Sequence, residues 1–258
     1  MLELIVAASL TAVATGIGVI PVAVLGERAV ALRPLLLGIA AGVMAVASVI
    51  GLILPGLDDG TPTEVWGGVL LGVVFLFVAR RIIDRHHGHG HGRGHSHAAA
   101  LTGPEGVRRQ GVRTSLLVFL VLFVHSLPEG FAIGAVYASD TAGLSLFVIT
   151  AIAIHNIPEG TSIAVPMSQA GYGFARQFWV AVGTSIPQPI GAVIAYILVE
   201  QVAATLPISL GFAAGAMLAL VVVELLPQGW VGSRRGVAVG FIVGAIAMVI
   251  LGELLDVE

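Results

Sequence analysis

Apolar residues come in long, nearly unbroken runs along this chain, and short polar or Gly-rich breaks separate them. Eight runs stand out, at roughly 3–25, 34–56, 64–83, 115–137, 142–168, 174–198, 204–227 and 235–254. Each is long enough to cross a bilayer as a helix, which takes about 20 apolar residues. One break is much longer than the others. Residues 84–114 are rich in Gly, His and Arg and carry no apolar periodicity, which predicts a flexible, solvated loop. The pattern therefore divides the chain into spans 1–3 (residues 1–83), the loop (84–114) and spans 4–8 (115–258). The expected fold is an all-α integral membrane protein with eight transmembrane helices.

Composition agrees with a membrane solvent. Only 10% of the residues are charged, against about a quarter in soluble domains. The chain has no cysteine, which excludes disulfides and thiolate metal sites and disfavours Cu(I). No basic residue precedes the first apolar run, and the first arginine is Arg28. Residues 1–25 are thus expected to stay as a transmembrane helix rather than leave as a signal peptide.

The arginines orient the bundle. All 12 basic residues, Arg28, Arg33, Arg80, Arg81, Arg85, Arg93, Arg108, Arg109, Arg113, Arg176, Arg234 and Arg235, fall in or beside the connectors after spans 1, 3, 5 and 7. The opposite side carries Glu3, Asp58, Asp59, Glu64, Asp140, Glu200, Asp256 and Glu258. By the positive-inside rule both termini are extracytoplasmic, and the long loop faces the cytoplasm of a cell (inner or plasma) membrane. Glycine pairs at Gly38/Gly42, Gly68/Gly72, Gly130/Gly134, Gly211/Gly215 and Gly236/Gly240/Gly244 offer small faces for close helix packing.

Two near-identical hexapeptides lie inside apolar spans: His125-Ser126-Leu127-Pro128-Glu129-Gly130 and His155-Asn156-Ile157-Pro158-Glu159-Gly160. His and Glu four apart share one helix face. The prolines free the carbonyls of Val124 and Ile154 and open space beside that face. Ionisable groups at membrane depth cost several kcal/mol, so paired copies point to function. Two imidazoles and two carboxylates suit zinc and its first-row neighbours, and the two negative charges neutralise a divalent cation. The bland alternative is a pair of His–Glu hydrogen bonds that glue helices together. The other six histidines, His86, His87, His89, His91, His95 and His97, all fall in the loop. They are expected to capture or buffer metal weakly, unless the loop is only a basic linker.

The eight spans, the His-rich loop and the paired H-x-x-P-E-G motifs resemble the ZIP (Zrt/Irt-like) metal transporters across essentially the whole chain. The run Gly38-Ile39-Ala40-Ala41-Gly42-Val43-Met44 is similar to the branch that includes bacterial GufA proteins. The resemblance implies a three-plus-two-plus-three bundle with spans 4 and 5 central, and metal movement toward the cytoplasm. It places the metal ligands at His125, Glu129, His155 and Glu159, with Met44 as an additional contact or core filling. Many relatives have Asn where this chain has Ser126, and Glu in span 6 where it has Gln188. A second cation would lack charge compensation there. One tightly held cation is expected, with Ser126, Asn156 and Gln188 forming at most a weak secondary metal site or supporting the ligands. Glu224, before Leu225-Leu226-Pro227, either serves metal exit or snorkels to water.

The reading is therefore a carrier of divalent metal, zinc first among zinc, iron, manganese, cobalt and cadmium, working by alternating access and needing no cofactor. Its partners are divalent metal ions and the lipid bilayer, with no nucleic acid; the resemblance also allows a homodimer. An intramembrane metalloenzyme at the same His/Glu site is the alternative. Diiron bundles commonly write Glu-x-x-His, whereas this chain writes His-x-x-x-Glu twice, and it has no HExxH.

Overall fold

The structure, a computed structural model, describes residues 1–87, 104–139, 141 and 143–257. Among these residues there is no strand, and eight helical spans are long and apolar enough to cross a membrane. They are α1 (Leu2–Leu25), α2 (Arg28–Asp59), α3 (Pro62–Ile83), α4 (Gly111–Ala138), α5 (Leu144–Gln169), α6 (Phe174–Gln201), α7 (Ala203–Gly232) and α8 (Arg234–Leu254). All eight expected spans are present, and the ends differ in informative places. The helix carrying α2 begins at Glu27, so Pro34 lies inside it and Arg28 and Arg33 ride on its first turns. The helices of α3 and α4 also run into the stretch read as loop, ending at His87 and starting at Pro104. His89, His91, His95 and His97 lie outside the described residues, as do the side chains of His86 and His87.

The packing has an internal symmetry. Extensive pairings join α3 with α7, α2 with α8 and α4 with α6, and α1 also packs on α5. Exchanging α1 for α6, α2 for α7, α3 for α8 and α4 for α5 turns each pairing into another of the set. This is a three-plus-two-plus-three arrangement of two inverted halves. The halves share sequence: Leu37-Gly38-Ile39-Ala40-Ala41-Gly42-Val43-Met44 in α2 matches Leu210-Gly211-Phe212-Ala213-Ala214-Gly215-Ala216-Met217 in α7. The glycines of each run meet backbone of the paired helix. A Cβ on Gly38 or Gly42 would strike Val237 or Phe241 of α8, and one on Gly211 or Gly215 would strike Val65 or Val69 of α3. With no hydrophobic drive between helices in lipid, this backbone approach supplies the van der Waals contact that holds them.

The symmetry extends to a local distortion. α2 and α7 each contain one π-helical turn, Val49–Ile53 and Val221–Leu225, directly before Leu54-Pro55 and Leu226-Pro227. Proline lacks the N–H that would bond the carbonyl four residues back. The wider turn shifts the ladder past that point, with the Leu54 and Leu226 N–H groups donating to Val49 O and Val221 O. The main apolar core lies among α2, α4, α5 and α7 and contains both Met44 and Met217.

The two ends of the bundle can be told apart by their contacts. Arg33 of α2, Arg80 of α3 and Glu224 and Gln228 of α7 share one end. At the other, the Tyr137 hydroxyl of α4 donates to Glu3 of α1 at 2.9 Å, and its ring meets that of Tyr196 in α6 edge-on.

Candidate metal centre

α4 and α5 run as helices through Pro128 and Pro158, so each hexapeptide keeps its His and Glu on one face. The two faces meet. Exposure is 2% for His125, 0% for Glu129, 0% for His155 and 2% for Glu159. His125 Nε2 stands 3.3 Å from Glu129 Oε1 and 3.3 Å from Glu159 Oε1, and His155 Nε2 stands 2.7 Å from Glu129 Oε1. Ligand atoms of His125, Glu129 and Glu159 all lie within 4.8 Å of one another.

Hydrogen bonding within this group is incomplete in a telling way. His155 Nδ1 is 2.9 Å from the Ala151 carbonyl, so Nδ1–H donates there and the Nε2 lone pair of a neutral ring points at Glu129. Two lone pairs facing each other must share a positive centre, a proton or a metal ion. His125 Nε2 and Glu159 Oε1, both buried and 3.3 Å apart, form no hydrogen bond with any of the described residues. Buried polar atoms are rarely left so. Two desolvated carboxylates beside two imidazoles make a site whose charge and lone pairs a divalent cation satisfies together.

The glycines that end the hexapeptides bring other helices against the carboxylates. A Cβ on Gly160 would strike Thr15 O of α1, and one on Gly130 would strike Gln188 O of α6. The neighbours delivered this way form a polar network. Gln188 Nε2 donates to Glu129 Oε2 and, at 3.4 Å, to Asn156 Oδ1. Asn156 Nδ2 donates to Thr11 O at 2.7 Å and to Gln188 Oε1 at 3.3 Å. The Thr11 hydroxyl lies 2.9 Å from Gln188 Oε1, and Thr15 and Ser185 pair their hydroxyls at 2.7 Å. Glu129 is thereby split: Oε1 faces the histidines while Oε2 is held by an amide. Thr11, Thr15 and Ser185 were not singled out from sequence. The signal was there, since Thr11 and Thr15 stand four apart on one face of a span whose other polar side chains are Glu3 and Ser9.

The remaining expected residues are placed as follows. Ser126 is buried and donates to Leu122 O at 2.9 Å. Met44 is fully buried in the apolar core. Glu224 is bonded to Gln228 and paired with Arg80 rather than with the two histidines. Glu224 and Gln228 nonetheless line the same cleft as Glu159 and Ser162.

With that geometry in hand, the comparisons with known proteins are direct. The sequence profile of the family described as ZIP Zinc transporter matches residues 79–252, a segment that holds both hexapeptides, Gln188 and Glu224. The chain belongs to the ZIP family. It is 30% identical to the zinc transporter GufA of Myxococcus xanthus over 262 residues, covering 96% of this chain and 98% of that protein. It is 34% identical over 234 residues to the zinc transporter ZIPB of Bordetella bronchiseptica, covering 90% of this chain and 75% of that one. Human zinc transporter ZIP11 is 33% identical over 142 residues, 51% of this chain and 42% of its own length. The ZIP profile spans α4 to α7 whole, so the segment it recognises is the one that builds the centre.

Proposed function

We propose that this chain carries Zn2+ toward the cytoplasm, holding one cation at a time between His125, Glu129, His155 and Glu159 and exposing that centre alternately to the two sides of the membrane. As a ZIP protein it is a membrane transporter of divalent metal cations and not an enzyme. The observation that supports the finer reading is the centre itself: four buried side chains of ligand type, two of them with an atom that has no hydrogen-bond partner among the described residues. Zinc fits a tetrahedral set of imidazole nitrogens and carboxylate oxygens, and zinc is the metal in the names of the relatives.

The restriction to one cation rests on Gln188. Its amide occupies Glu129 Oε2, the oxygen that would otherwise bridge to a second ion. A neutral amide adds no negative charge for that ion. Orientation follows the arginines: the end that gathers Arg33 and Arg80 faces the cytoplasm, and the His-rich loop at that end captures metal as it leaves.

Uptake of Zn2+ into proteoliposomes by the parent chain and by Glu159→Ala, both checked for folding by thermal unfolding, tests the reading. Saturable uptake that the substitution abolishes is expected. Uptake by Glu159→Ala at the parent's rate would remove the centre from the transport path.

A further inference from the structure

A second polar cluster sits at the arginine-bearing end, beyond the metal centre. Pro227 has no N–H, so the Val223 carbonyl four residues back lacks a helical donor. Arg80 of α3 supplies one. Its Nη1 donates to Val223 O at 3.1 Å and lies 3.7 Å from Glu224 Oε2. Glu224 Oε1 accepts from Gln228 Nε2 at 2.7 Å, and Gln228 Oε1 accepts from Arg33 Nη2 of α2 at 3.1 Å. Glu224 and Gln228 line one cleft together with Glu159 and Ser162. The centre of a water molecule can occupy only about 20 Å³ of this cleft. That is room for one or two waters, since each needs at least about 10–15 Å³ on this measure, and less than a cation with its hydration shell fills.

We propose that Arg80 is a positioning residue for metal release: it holds Glu224 across the mouth of the cleft, and a divalent cation arriving at Glu224 displaces it and opens the mouth. The pair is suited to exchange. The Arg80 side chain is 39% exposed against 15% for Glu224, and half-exposed ion pairs are weak, whereas a divalent cation offers the carboxylate twice the charge. Arg80 is not needed to hold its helix, because α3 and α7 are already in backbone contact through Gly68, Gly72, Gly211 and Gly215. The proposal rests on the reading of the His/Glu centre as the transport site.

The natural absence of cysteine makes the test direct. Ser162→Cys places a single thiol in the lining of the cleft, and its rate of alkylation by N-ethylmaleimide in metal-free buffer reports the opening. On that background Arg80→Gln and Arg80→Met are expected to speed labelling roughly five-fold, the scale set by loss of a weak ion pair. Arg80→Lys, which keeps the charge, and Arg81→Gln, which removes an exposed neighbouring charge, are expected to label at the parent's rate. If the Gln and Met variants fold, as judged by thermal unfolding, and label no faster than Arg81→Gln, the proposal is overturned. Zinc uptake by the same parent chain reads the transport site separately, so failure of that reading and failure of the Arg80 proposal are told apart.

Discussion

Gln188 offers the sharpest test of how the centre is tuned. Its Nε2 is the hydrogen-bond donor to Oε2 of Glu129, a carboxylate with 0% exposure. Gln188→Ala removes that donor, and leaving a buried acceptor unsatisfied costs about 1–3 kcal/mol. Loss of a residue that orients a metal ligand typically lowers affinity about 10–100-fold, and that range is expected here for zinc. Gln188→Glu is expected to act differently. It sets a second carboxylate at roughly 3 Å from Glu129, a repulsion of about 5 kcal/mol at an effective dielectric near 20. A second cation relieves it, so this variant should bind two equivalents where the parent binds one. Isothermal titration calorimetry of the purified proteins at neutral pH reads both affinity and stoichiometry. The reasoning is refuted if Gln188→Ala binds zinc like the parent, if the parent already takes two tight equivalents, or if Gln188→Glu stays at one.

Three further outcomes follow from the same geometry. Removing either imidazole, as in His125→Ala or His155→Ala, should abolish saturable zinc uptake in proteoliposomes while leaving the thermal transition in place; unchanged uptake would exclude that histidine as a ligand. Metal binding needs neutral imidazoles and ionised carboxylates, so zinc affinity should fall as the medium is made more acidic, and a pH-independent affinity would contradict an imidazole centre. Gly160→Val should prevent stable folding because its side chain meets Thr15 O of α1, whereas Gly67→Ala, which faces open space in α3, should raise stability by about 0.5–1 kcal/mol; paired thermal-unfolding curves separate the two.

What could be read from the chain as a string was whatever depends on local cost. A run of about 20 apolar residues is a span because no other structure satisfies its backbone in lipid. His125, Glu129, His155 and Glu159 announced themselves because ionisable groups inside such runs are expensive. The arginines marked one end because charge is sorted by side, and the contacts of Arg33 and Arg80 with α7 now set those two on one end. Tertiary structure alone decided what surrounds these groups. Gln188 reaches Glu129 across 59 positions and Thr11 reaches Gln188 across 177, and no periodicity encodes such partners. They meet because Gly130 and Gly160 let α6 and α1 press their backbones against the hexapeptides. Likewise Glu224 stood out in the sequence as an acid within a span, but only the packing of α3 on α7 brought Arg80 to it. Cost per residue is a local quantity, legible one span at a time, whereas the identity of a hydrogen-bond partner belongs to the fold.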